Sequence, residues 1–140
     1  MQPPDGDTGR GGRGDLRRAL ALRHTLTRGD AALVIPVAGG RAALLRRRDL
    51  HRLASILDPS RVDLERRGVR SWLERRQARR SELLLVPDRA TAMRLAASWH
   101  VDLARVHVAA DLAHPPRRLI EGICGPGGRR STRARPWYAR

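Results

Sequence analysis

The chain contains no lysine, no asparagine and no phenylalanine, and its only cysteine is Cys124. A single cysteine excludes an internal disulfide and a cysteine-based zinc cluster within one chain. Aromatic residues make up only 3%, so a core must be assembled from Leu, Val, Ile and Ala. Such side chains bury less area per residue than aromatic ones. A shared interface would add burial that so small a chain lacks, which favours a homodimer. No apolar run approaches the ~18 residues of a membrane span. The opening Met1-Gln2-Pro3-Pro4-Asp5-Gly6-Asp7 lacks the apolar stretch of a secretory signal. These absences point to a cytoplasmic protein without a membrane partner.

What is abundant is arginine. All 29 basic residues are arginine, against 14 acidic ones, for a formal net charge of +15 over 140 residues. GC-rich codons specify Arg, Ala, Gly and Pro, so the choice of arginine over lysine reflects coding bias, as in a bacterium with a GC-rich genome. That bias does not explain the total, which is about double ordinary usage of basic residues while acidic residues stay near theirs. Such a surface concentrates anions. Nucleic acid is the first expected partner, with DNA ahead of RNA.

The chain divides on composition. Residues 1–14, rich in Gly, Pro, Asp and Arg, read as a disordered arm, and 113–140 as a basic flexible tail in which Leu119, Ile120 and Ile123 dock a short helix. Between them the pattern predicts α+β: helix, β-hairpin and helix, then a helix–strand–helix–strand segment. Asp15 caps a helix through Arg28, with Leu16, Ala19, Leu20, Leu22 and Leu26 on one stripe. Residues 31–37 form a strand, Gly39-Gly40 a turn, and 41–46 either the return strand of a hairpin or the start of a helix. Asp49 caps a helix through Leu57, ended by Asp58-Pro59. A capping box, Ser71-Trp72-Leu73-Glu74, opens a helix to Arg80. A strand over 82–86, a helix from Asp88 to Trp99 and a strand over 104–109 complete the segment. Domain limits fall at 15–58 and 59–112.

Arginine clusters carry the functional reading. Arg17, Arg18 and Arg23 lie on the first helix, Arg41 on the turn, and Arg46, Arg47 and Arg48 precede a capped helix. Guanidinium groups grip phosphate oxygens in pairs, and clusters of them release counterions on binding. Arg75, Arg76, Arg79 and Arg80 are interleaved with Glu74 and read as a salt-bridged surface helix.

Gly29, Val34, Gly39-Gly40, Ala42, Leu44, Asp49, Leu50 and Leu53, read in order, resemble the amino-terminal module of the Phd/YefM antitoxins. The resemblance implies a homodimeric repressor in which 15–58 dimerises and binds operator DNA. It further implies that the remainder, 59–112, meets a toxin protein. The corresponding antitoxin segment is often acidic, whereas 59–112 here is basic.

Other chemistry has weaker carriers. Leu95-Ala96, Val101 and Val106 have helix-turn-helix spacing, but Val106 and Val108 favour a β–α–β unit over 82–109. Five histidines show neither His-x-His nor His-x-x-x-His spacing, so no metal site or catalytic set is expected. Pro36-Val37-Ala38-Gly39-Gly40-Arg41 follows a strand as a phosphate loop would, yet lacks the glycine fingerprint and the Walker lysine. No cofactor and no enzyme activity are expected. Trp137 and Tyr138 among arginines in the tail could stack on unpaired bases. Two other readings remain: an RNA- or ribosome-associated protein, or a protein-interaction module whose charge is only coding bias.

Overall fold

A computed structural model describes residues 8–26, 31–114 and 117–124. Helices and one small sheet are both present, as the patterning requires. The elements are α1 (Thr8–Thr25), β1 (Leu33–Pro36), α2 (Arg47–Leu50), β2 (Leu53–Ile56), α3 (Val69–Arg80), β3 (Leu83–Val86), α4 (Arg89–Trp99), β4 (Val106–Val108) and α5 (Arg117–Cys124). The four strands form one sheet in the order β1-β2-β3-β4, every pair parallel. Crossovers that all advance in one direction and share one hand keep their helices on one face.

Burial agrees with that geometry. On the first face, Leu84, Val86 and Val106 pack with Ala78 of α3 and Ala92, Leu95 and Trp99 of α4. Beside them, Leu33, Ile35 and Leu53 meet Leu22 of α1 and Leu26 just after it. The second face presents Ala54, Leu83 and Leu85, met by Leu112 and by Leu119 of α5. The docking expected of Leu119 is therefore present. Among the described residues no helix is long and apolar enough to cross a membrane.

The β3–α4–β4 unit follows the sequence reading. Asp88 accepts the Thr91 N–H at 2.7 Å and caps α4. His100 takes the left-handed position (φ 56) that ends the helix. A short 3-10 turn over Leu103–Arg105 then leads into β4 rather than into a recognition helix.

Several expectations are corrected. No hairpin forms: residues 41–44 are a turn, and β1 pairs with β2 in parallel. The helix expected over 49–57 shrinks to the four residues of α2, because Leu53-Ala54-Ser55-Ile56 enters the middle of the sheet. A central parallel strand is covered on both faces and reads as a continuous apolar run, which periodicity cannot tell from a helix. The α1 helix begins at Thr8, ahead of the start expected at Asp15; residues 1–7 lie outside the described residues. Asp15 is not a cap. It faces inward, 3% exposed, with Arg70 of α3 at 4.0 Å. On α1 the inward side carries buried Asp15 and Ala19 and half-buried Leu22, while Leu16 and Leu20 are 38% and 39% exposed. The capping box at Ser71 is also absent: α3 starts at Val69 after Gly68. Because β2 pairs with β3, segments 15–58 and 59–112 share one sheet.

Candidate nucleic-acid interface

The candidate surface is built on α3, and its position follows from the loop that α3 supports. Residues 37–45 join β1 toward α2 without regular structure, yet Val37, Gly39, Gly40, Ala42, Ala43 and Leu45 are buried. Buried backbone polar groups outside helix or sheet need side-chain partners. The α3 helix supplies them. Glu74 accepts the Gly39 N–H at 3.0 Å, and Gln77 accepts the Ala42 N–H at 3.0 Å. The Gln77 amide also donates to the Pro36 carbonyl (3.0 Å) and to the Ser55 hydroxyl (3.1 Å). Arg76 donates to the Ala43 carbonyl at 3.1 Å, and Arg80 to the Ala43 and Leu45 carbonyls at 2.7 and 2.9 Å.

Gly40 makes the close approach possible. Its φ is +62, and a Cβ there would collide with the side chain and backbone of Leu73. The glycine N–H groups that a phosphate loop would offer are thus spent, Gly39 on Glu74 and Gly40 on the Val37 carbonyl.

Anchoring Arg76 and Arg80 in this way brings basic groups together from three elements. Burial lowers the proton affinity of Arg80, and the neighbouring charges of Arg76, Arg47 and Arg23 lower it further. A guanidinium stays protonated through such a shift, so this is a point of concentrated positive charge. Arg23 comes from α1 and Arg47 from α2, and both are exposed.

An open groove of about 520 Å³ continues the basic surface between α3 and the end of α4. Arg75, Arg76, Arg79 and Arg80 line it, with Trp72 and His100. Arg75 and Arg79 make no ion pair among the described residues, contrary to the salt-bridged helix expected. The acids of that region face elsewhere. Glu74 is 2% exposed and turned to Gly39, with Arg70 at 3.9 Å. Burial holds its carboxyl above the usual glutamate range, against the pull of the Gly39 N–H and of Arg70. Among the described residues, Arg75 and Arg79 are therefore left without an acidic partner.

Two of the seven arginines expected to contact phosphate, Arg23 and Arg47, belong to this convergence. Arg17, Arg41 and Arg46 are exposed and in no ion pair among the described residues. Arg18 lies 3.8 Å from Asp15, and Arg48 lies 3.7 Å from Asp49. Sequence reasoning missed Arg75 and Arg79. The available signal was Trp72, Arg75, Arg76 and Arg79 at spacing i, i+3, i+4, i+7, which places them on one side of a helix. Among the described residues, no group of three or more His, Cys, Asp or Glu side chains could hold a metal ion. Trp137 and Tyr138 lie outside the described residues. Comparisons with protein-family models, with curated proteins and with solved structures find no match to this chain.

Proposed function

We propose that this chain binds nucleic acid, holding the phosphate backbone with the arginine face formed by α3, Arg23 and Arg47. The observation that carries the reading is the unneutralised stripe of Arg75, Arg76 and Arg79 beside an open groove. Each free guanidinium offers several donors in a planar fork suited to phosphate oxygens. Arg76 spends only its Nε on Ala43, so its terminal nitrogens remain available.

A second reading, which a preference for duplex over single strands would favour, is a dimeric, cytoplasmic DNA-binding regulator acting on its own operator. Exposed Leu16 and Leu20, one turn apart on α1, support a second copy as partner. The antitoxin resemblance adds little to this, since its hairpin is replaced by a parallel strand and a buried loop.

The test is the affinity of the full-length protein for DNA from its own upstream region, for scrambled DNA and for single-stranded RNA, over a salt series. Binding that survives physiological salt supports nucleic-acid recognition, and a preference for the upstream duplex supports the regulator. Equal, salt-labile binding to all three returns the charge to coding bias.

A further inference from the structure

The arginine groove also has the means to distinguish unpaired from paired strands, an inference that rests on the phosphate-binding reading above. Two tryptophans are described, and they differ. Trp99 is 2% exposed and its indole N–H donates to the Leu64 carbonyl at 3.2 Å, so it belongs to the core. Trp72 is 48% exposed on the outer side of α3, at the groove wall. The Arg76 guanidinium carbon sits 5.5 Å from the centre of its ring, which orients the indole by cation–π attraction. About half of the Trp72 surface is thus left in water beside arginines of the groove.

We propose that the groove binds single-stranded nucleic acid, with an unpaired base stacked on Trp72 and the flanking phosphates held by Arg75 and Arg79. Base faces in a duplex are covered by their neighbours, so a duplex offers this surface phosphates but no stacking partner. An unpaired strand offers both. From Trp72 to Arg79 the stripe runs roughly 10 Å along the helix, enough for about two to three successive phosphates. The groove falls within the ~300–1,000 Å³ typical of sites for small ligands, room for a nucleotide but not for a base pair with its helix. Stacking tolerates any base, so the preference is for strandedness rather than sequence.

The experiment compares full-length protein binding to oligothymidylate, oligouridylate, a blunt duplex of the same length and inorganic polyphosphate of matched charge, at physiological salt. Both single strands are expected to bind at least roughly tenfold more tightly than the duplex, the scale of one stacked base. Trp72→Ala should remove most of that advantage without changing the salt slope, and Trp72→Phe should keep much of it. Trp72 is exposed, so circular dichroism and melting should show both variants folded. Equal or tighter duplex binding, with Trp72→Ala silent on single strands, overturns this inference and leaves phosphate binding standing. Binding to none of the nucleic acids above the polyphosphate level overturns both readings. Oligodeoxyuridylate against oligouridylate, which differ only in the 2′-hydroxyl, decides between DNA and RNA as the source of the strand.

Discussion

The crossover from β3 to β4 and the crossover from β1 to β2 are stabilised in opposite ways. The first is a capped helix whose Ala92, Leu95 and Trp99 fill an apolar core. The second is a buried loop with a single four-residue helix, and its backbone is satisfied by side chains of α3 about 35 residues away in sequence. Local chemistry supports one; distant polar chemistry supports the other. The second crossover holds Arg76 and Arg80 at its carbonyls, and the charges of Arg76, Arg47 and Arg23 bear on Arg80 there.

The comparison is broken most severely at Gly40. Gly40→Ala combines a left-handed backbone with a collision against Leu73, and should cost about 3–5 kcal/mol. Urea denaturation measures it; a loss below 1 kcal/mol would mean the loop is not held against α3 as described. Next is Gln77→Leu, which strands the Ala42 N–H and the Pro36 carbonyl in the interior. The expected loss is about 2–4 kcal/mol, also read by urea denaturation, although leucine suits a core by volume. A neutral result would show that the loop's polar groups find other partners. On the locally supported side, Asp88→Ala removes one capping bond from the start of α4 and should cost only about 1 kcal/mol, seen as a small fall in Tm. If the Asp88 variant lost more than the Gln77 variant, the contrast between the crossovers would be reversed.

That contrast also explains what the sequence disclosed. Asp88 and the residues that follow carry their signals within one helix, so α4 and its flanking strands were legible. The strand β2 was not, since Leu53 to Ile56 is covered on both faces and loses the alternation that marks a strand. The role of α3 was hidden for a different reason. Glu74 looked like a capping residue and nothing in the sequence singled out Gln77, because their partners Gly39 and Ala42 are remote in sequence. Most of the seven expected arginines, Arg17-Arg18 and Arg46-Arg47-Arg48, stand together in the chain. Convergence across α1, α2 and α3 retains Arg23 and Arg47 and adds Arg75 and Arg79, which only the helical spacing from Trp72 announces.

The smallest expected effect sharpens the comparison through pH. Burial raises the Glu74 pKa in the folded protein, so between the ordinary glutamate value and the raised one the folded state holds the extra proton. Folding stability therefore falls as pH rises through that window, and the full penalty is present above it. Glu74→Gln keeps an oxygen for the Gly39 N–H and removes the charge. Its urea midpoint should vary less with pH across that range and lie slightly above wild type at neutral pH. A variant less stable than wild type at neutral pH would show that the carboxylate's attraction to Arg70 outweighs its burial.

The account depends most on the claim that the α3 face, and not diffuse charge, grips phosphate. The direct measurement is the salt dependence of nucleic-acid affinity for wild type, for Arg75→Ala with Arg79→Ala, and for Arg17→Ala with Arg41→Ala, two variants that lose equal charge. Each lost phosphate contact lowers the magnitude of the slope by roughly 0.7–0.9, so the α3 variant should fall by about one to two while the second keeps the wild-type slope. Equal reductions in both variants would contradict the account and assign binding to net charge alone.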